Sequence, residues 1–187
     1  MVALIPTFAE YEVWDGSQTA PTQGTGTETD PYLITNGSEL AYVIANGGGA
    51  NTFYKLTDNI YLNDITKINW QTGVADAGYT PNSWFFDWGT NVPDFQGTIN
   101  GNGKVVYGLY FTASQNPAFG YWGNGLIPRV NPGESAAVKR LGVDYAYVKG
   151  ANGVSAFVGS AGAGSYGESN TAYANVNIDK CYVGANV

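Results

Sequence analysis

One pattern occurs twice in the sequence, as Val138-Lys139-Arg140-Leu141-Gly142-Val143 and again as Ile178-Asp179-Lys180-Cys181-Tyr182-Val183. Apolar residues occupy the same places in both copies, with polar residues between them. Short strands that repeat, separated by loops of variable length, are typical of a solenoid in which each coil adds one rung to a stack. A β-sandwich has no need for strands that resemble each other. The repeat therefore favours a parallel β stack.

The rest of the chain fits an all-β class. Tyr54, Leu56, Ile60 and Leu62 fall at even spacing, which is the period of a strand. Further short strands are predicted over 95–99, 105–111, 138–143, 154–158 and 176–183. Beyond one helix near the N-terminus no helical period is found, which excludes alternating β-α architectures.

One continuous core is predicted from the inward positions of these strands. Its members are expected to be largely buried, and they are Leu56, Ile60, Leu62, Val106, Leu109, Leu141, Val143, Phe157, Val158, Ile178, Cys181 and Val183. Cys181, the one cysteine, cannot form an intrachain disulfide and is interpreted as a buried, unreactive thiol.

A short helix is predicted at about 36–46. Asn36 can cap it, with Glu39 three residues later as a capping box requires. Leu40, Val43 and Ile44 share one face, and Gly47 can end the helix. A helix this short needs an apolar surface beneath it, so we expect it to cover the open end of the β stack.

The predicted organisation is an N-terminal segment and loop over 1–30, followed by the β stack over 31–187. The last coil is expected to expose an apolar face, as in a chain truncated from a longer parent. Residues 1–9 resemble the end of a signal peptide or, equally simply, an N-terminal strand.

Composition excludes several function classes. A net charge of −7 with only 8 Lys and Arg provides no basic stripe for nucleic acid or an anionic membrane. The sequence has no His, which removes the commonest general base and metal ligand. No segment is long and apolar enough to span a bilayer. No cofactor is expected, and residues 100–103 favour a tight turn over a calcium loop because EF-hand spacing is absent.

The ordered set of segments resembles a known family. It comprises a loop at 24–34, the capped helix, and the strands at 54–62, 95–103, 108–111, 118–121 and 138–143. Together they resemble the GLUG-motif β-helix proteins, which are large adhesin-like proteins of bacterial and archaeal cell surfaces. The resemblance implies a right-handed parallel β-helix, secretion to the cell surface, a multidomain parent and no catalytic residues. This chain departs from the pattern by insertions at 71–94, 112–117, 123–136 and 160–175.

Aromatic residues in or near these insertions are the candidate ligand-binding site. Flat rings stack on sugars while neighbouring Asp and Asn side chains bind hydroxyl groups, which points to Trp84, Asp87, Trp88, Tyr121, Trp122 and Asn124. The alternative is that these rings pack the loops onto the stack. Trp70 is interpreted as structural.

The predicted function is an extracellular adhesin-like module that binds carbohydrate or a partner surface through its insertions. A structural stalk or filament subunit without its own ligand is the alternative. A polysaccharide-degrading enzyme would need two suitably spaced carboxyl groups, drawn from Asp58, Asp64, Asp76, Asp87 and Asp94. Sequence spacing in a solenoid does not reveal which of them lie close together, and the 8 basic residues that a polysaccharide lyase would draw on are scattered, so we expect no enzymatic activity.

Overall fold

A computed structural model describes residues 11–84, 94–112, 124–130, 134–150, 154–161 and 174–187. These residues are mostly β-strand, with one short helix, as the all-β prediction requires. The elements are β1 (Tyr32–Ile34), α1 (Gly37–Ala45), β2 (Phe53–Leu56), β3 (Ile60–Tyr61), β4 (Ile68–Asn69), β5 (Val74–Ala75), β6 (Gly97–Asn100), β7 (Val105–Thr112), β8 (Ile127–Val130), β9 (Ser135–Lys139), β10 (Gly142–Lys149), β11 (Val158–Ala161), β12 (Asn175–Asp179) and β13 (Tyr182–Val183). The predicted segment 1–9 lies outside the described residues.

Three sheets are parallel throughout. The first has the order β1-β2-β6-β9-β12, the second β3-β7-β10-β13 and the third β8-β11. The chain visits them in turn, so β6-β7-β8, β9-β10-β11 and β12-β13 form successive circuits that each add a strand to each sheet visited. A short antiparallel hairpin, β4-β5, stands apart from this order.

The two copies of the sequence repeat occupy paired positions in neighbouring strands. Val138 pairs with Ile178, Gly142 with Tyr182 and Val143 with Val183, so the two copies lie directly on one another. Arg140 and Lys180 have the same left-handed backbone, each with φ of 53°. One residue of this kind between two strands turns the chain sharply from the first sheet into the second.

Helix α1 begins as predicted, with one difference in its cap. The Asn36 side chain accepts a hydrogen bond from the Glu39 amide at 3.0 Å. The Glu39 carboxylate reaches one residue further back than in a capping box and accepts from the Thr35 amide at 2.7 Å. Its buried face joins the core, and Gly37 lies against Trp14. Because Val13 bridges to Tyr61 in β3, the helix lies at the end of the stack where the first strands are.

One apolar cluster runs through the sheets, and eight of the twelve predicted core residues are buried in it: Leu56, Ile60, Leu62, Val106, Leu109, Leu141, Val143 and Phe157. Val158 and Cys181 are half-buried against the cluster. The prediction is wrong for Ile178 and Val183, which are 49% and 48% exposed. The reason is position: β12 and β13 are edge strands, and no described strand lies beyond them. The predicted apolar exposure of the last circuit is thus observed.

The predicted insertion 123–136 needs a second correction. Residues 127–130 form β8, which pairs in parallel with β11 through Ile127, Arg129 and Val130. Pro128 concealed this strand in the sequence because proline has no amide hydrogen and disfavours central strands. In the register of β8 on β11, Pro128 itself has no paired residue.

Candidate functional site: an aromatic face and an adjoining cleft

Of the six predicted ligand-binding residues, the structure describes two, Trp84 and Asn124. Trp84 is 3% exposed, and its indole N–H donates to the Leu126 carbonyl at 3.0 Å. Its ring packs edge-on against Trp14 with ring centroids 5.1 Å apart. A ring buried on this scale presents no face to a ligand, so Trp84 holds its segment onto the core instead.

Four of the other candidates, Asp87, Trp88, Tyr121 and Trp122, lie outside the described residues and stay predictions. Asn124 is half-buried and makes a parallel bridge to Val154. The structural interpretation of Trp70 is supported by its burial and by the hydrogen bond that its indole N–H donates to the Ile65 carbonyl at 2.9 Å.

A row of tyrosines lies on the outer face of the second sheet. Tyr61 in β3 and Tyr107 in β7 are register partners, and their rings stack with centroids 4.8 Å apart. Tyr11 stacks on Tyr61 at 4.0 Å, and Tyr145 of β10 follows Tyr107 at 6.3 Å. The separation of neighbouring strands, about 4.8 Å, is close to the distance at which aromatic rings pack. The register therefore sets the stack of Tyr61 on Tyr107, and Tyr11 and Tyr145 extend it from positions outside that register. We call these four rings the tyrosine row.

A second pair extends this face. Tyr110 and Tyr147 are register partners further along the same strands, with ring centroids 5.8 Å apart. The Tyr110 hydroxyl donates to the carbonyl of Gly73 at 3.1 Å. Gly73, beside β5, lies so close to the Tyr147 ring that a Cβ there would come within 2.2 Å of it. The hairpin β4-β5 thereby borders the aromatic face on one side.

A bend shared by β7 and β10 sets which side chains point outward. Gly108 and Tyr145 occupy equivalent positions and both have left-handed backbone, with φ of 77° and 52°. The bend shifts the in–out alternation of the strand by one residue. Val106 and Leu109 therefore both point into the core, while Tyr107 and Tyr110 both face outward. A bulky residue such as Tyr145 is uncommon in this conformation and costs about 1–2 kcal/mol.

Two side chains hold this bend. Asn63 is fully buried and donates to the Gly108 carbonyl at 2.8 Å and to the Asn82 carbonyl at 2.9 Å, while its oxygen accepts from the Asn82 amide at 2.7 Å. In β10, the Asp144 carboxylate accepts from the Tyr145 amide at 2.8 Å. A buried polar side chain with its partners satisfied fixes a single geometry, so the bend that aims the tyrosines is well determined.

Three phenols of the face, those of Tyr11, Tyr107 and Tyr110, have raised pKa values and are neutral. Burial raises the pKa of Tyr107 and of Tyr110 above their ordinary value. Burial and then the hydrogen bond to Asp64 raise the pKa of Tyr11 to about 12. For Asp64, burial raises the pKa, but hydrogen bonds from the Thr66 hydroxyl and amide outweigh it and lower the pKa overall. Tyr11, Tyr107 and Tyr110 therefore offer uncharged rings, with the carboxylates of Asp64 and Asp144 beside the row.

A cleft of about 750 Å³ adjoins the tyrosine row. Trp70 links the two, since it lines the cleft and contacts Tyr145 edge-on at 6.2 Å. Amide side chains from three separate residues line the cleft, and Tyr147 adds an aromatic wall; the amides are Asn69, Gln71 and Asn186. Among its described lining residues no side chain is charged. Amides can donate and accept, so the cleft suits a neutral ligand with many hydroxyl groups.

The described residues offer neither a metal-binding cluster nor a membrane-spanning helix. They contain no cluster of three or more Asp, Glu, Cys or His side chains able to hold a metal ion. No helix in that same part of the chain is long and apolar enough to cross a membrane. Sequence reasoning missed the tyrosine row, although one signal was present: Tyr61 and Tyr107 each directly follow an inward aliphatic residue in matching strands.

The described residues define an all-β chain with mainly parallel sheets and an aromatic outer face. No family model matches the chain, and no solved structure matches it. Over 148 residues, or 79% of its length, the chain is 26% identical to halomucin of Haloquadratum walsbyi, a large archaeal cell-surface protein. The aligned part is 1% of halomucin. This similarity loosely links the chain to cell-surface proteins and leaves the GLUG resemblance a prediction.

Proposed function

We propose that the chain is a module of a cell-surface protein that binds neutral carbohydrate on the outer face of a right-handed parallel β-helix. The three parallel sheets, in which successive passes of the chain add neighbouring strands, support the β-helix. Parallel strands joined by a crossover within one sheet are right-handed in about 98% of cases, which supports the hand. The similarity to halomucin supports a secreted or cell-surface location within a longer polypeptide.

The tyrosine row is the observation that carries the proposed binding. Tyr61 stacks on Tyr107 at the spacing of neighbouring strands and Tyr11 stacks on Tyr61, and the cleft adds Tyr147 to this face. Because neighbouring rings in the row stack face to face, the row presents ring edges outward. The C–H groups of a sugar can pack against these edges, and its hydroxyl groups can bind the amides of the cleft. A linear polysaccharide could lie along the row with one end in the cleft. The loop residues Asp87, Trp88, Tyr121 and Trp122 remain proposed contributors.

The proposal is of binding without catalysis and without a cofactor. The absence of His from the sequence supports it, because the commonest general base is missing. The net charge of −7 argues for partners other than nucleic acid or an anionic membrane. A polysaccharide-degrading activity is the second alternative, which the assay below would also detect as released sugar.

The test is retention on insoluble neutral polysaccharides by wild type and matched variants. Tyr107→Ala removes the centre of the tyrosine row, and we expect affinity to fall about fivefold, since one aromatic contact contributes about 1 kcal/mol. Tyr107→Phe keeps the ring and should bind nearly as well. Tyr32→Ala is the control, because Tyr32 is also half-buried and packed on a tyrosine, Tyr54, but belongs to the first sheet.

Salt provides a second readout. Binding through neutral rings and amides should change little with ionic strength, because screening acts on charges. Equal retention of Tyr107→Ala and wild type, with circular dichroism showing both folded, would contradict the tyrosine row as the site. Trp88→Ala and Trp122→Ala then test the loops. No retention on any neutral glycan would favour the structural stalk.

A further inference from the structure

A second, smaller pocket lies beside helix α1, away from the proposed carbohydrate face. Its volume is about 210 Å³. It is lined by residues of the N-terminal segment, the helix and the first two strands of the first sheet: Ala20, Pro21, Tyr32, Tyr42, Val43, Asn46, Gly48 and Tyr54. We call it the tyrosine pocket, since three of these residues are tyrosines from three different elements.

The aromatic walls are built by register and by helix position. Tyr32 in β1 and Tyr54 in β2 are strand partners, with ring centroids 5.9 Å apart and planes inclined by 31°. Tyr42 approaches from the last turns of α1 and is half-buried. Three rings from separate elements converge on one small cavity, with Pro21 closing part of it.

The electrostatics of the pocket favour a cation. Asn46, the C-cap of α1, is one of its lining residues, so the negative end of the helix dipole is at the pocket. The last turn of α1 has no basic residue to neutralise this end. None of the described lining residues is Lys or Arg. An anion would meet an unfavourable potential here, whereas a cation would meet a favourable one.

The rings keep the electron-rich character that a cation needs. The Tyr54 hydroxyl donates a hydrogen bond to the carbonyl of Gly48. This hydrogen bond fixes the orientation of the Tyr54 ring. Burial, and then the neighbouring Tyr32 and Tyr42, raise the pKa of Tyr54 to about 12. The faces of neutral aromatic rings attract cations with a diffuse charge and a thin hydration shell.

We propose that the tyrosine pocket binds a quaternary ammonium group. Such a group has apolar methyl surface for the rings and a positive charge for the helix end. It cannot donate conventional N–H hydrogen bonds, which suits a pocket whose lining side chains include a single amide, that of Asn46. A primary ammonium is more strongly hydrated and should bind more weakly.

The test is calorimetric titration of the whole chain with tetramethylammonium and with choline. The matched ligand control is the neutral analogue of choline in which a tert-butyl group replaces the trimethylammonium group. This analogue has the same shape without the charge. We expect choline and tetramethylammonium to bind and the neutral analogue to bind about tenfold more weakly or not at all.

Variants locate the site. Tyr42→Ala places a strong helix former in α1, so the fold should survive while choline affinity falls about tenfold. Tyr42→Phe keeps the ring and should retain binding, and Tyr107→Ala, on the other face, should leave it unchanged. Equal binding of choline and its neutral analogue would overturn the proposal, because the pocket would then be merely apolar. No binding of either cation would also overturn it.

Discussion

The first and last circuits of the stack carry similar strands in opposite surroundings. At the first, Val13 bridges to β3, Trp14 packs on Gly37, and α1 adds its apolar face to the core. At the last, β12 and β13 are edge strands whose apolar side chains reach solvent. Val143 and Val183 show the contrast most directly: they are the same residue type, in register, and are 0% and 48% exposed.

The comparison shows that the repeated sequence sets where a side chain lies in the stack. Whether that side chain is buried then depends on a further strand packed beside it. A fully buried Val or Leu contributes about 1.5–3 kcal/mol. Ordering the backbone costs about 1–2 kcal/mol per residue, so a circuit with a few inward side chains is marginal by itself. The inner circuits are covered from both sides. The last is covered from one side only, and we expect it to open first.

The largest expected effect comes from truncating the matched valines. Val143→Ala should lower the free energy of unfolding by about 2 kcal/mol, because it removes buried methyl groups and leaves a cavity. Val183→Ala should cost below about 1 kcal/mol, since half of this side chain is already in water. Urea unfolding measured for both variants and wild type gives the two values on one scale. Equal losses would contradict the contrast between the inner and last circuits.

Much of the fold could be predicted from the sequence because strand pairing imposes strict spacing. The match between residues 138–143 and 178–183 gave the register of β9 on β12 and of β10 on β13. The start of α1 followed from Asn36 and Glu39, where cap chemistry is local. What failed depended on distant context. Pro128 concealed β8, and the exposure of Ile178 reflects its place in an edge strand of the described sheet, which a local pattern does not encode.

The candidate site was harder to predict, for a physical reason. The sequence drew attention to tryptophans in insertions, yet Trp84 is buried under Leu126 and Trp14. The tyrosine row is assembled from residues nearly 50 positions apart, such as Tyr61 and Tyr107. Only the register of parallel strands brings them into contact. The shared bend at Gly108 and Tyr145 was also hidden, since a tyrosine is an unusual residue for left-handed backbone.

A smaller effect tests the covered end of the stack. Asn36→Ala removes the side-chain oxygen that accepts from the Glu39 amide, and we expect it to cost about 1 kcal/mol. Hydrogen exchange should then speed up in α1 and in β1, making the first circuit resemble the last. Asn36→Asp keeps an acceptor at the same place and should behave nearly as wild type. If Asp were as damaging as Ala, the cap would not be what holds the helix.

The smallest expected effect concerns Tyr11, which anchors the covered end of the tyrosine row through its contacts with Tyr61 and Asp64. Its pKa is raised from 10.0 to about 12, first by burial and then by the hydrogen bond to Asp64. The folded state therefore holds this proton more tightly than the unfolded state does. The associated stability is fully present below pH 10 and is lost as the pH rises towards 12.

Tyr11→Phe tests this contribution, because it removes the phenol of Tyr11 and keeps the ring that stacks on Tyr61. Wild type should lose stability more steeply than Tyr11→Phe between pH 10 and pH 12. Urea unfolding at a series of pH values measures the two slopes, and tyrosinate absorbance follows the ionisation itself. Parallel slopes would show that Tyr11 titrates as a free phenol. Its hydroxyl would then not be bound to Asp64, and the tyrosine row would begin at Tyr61.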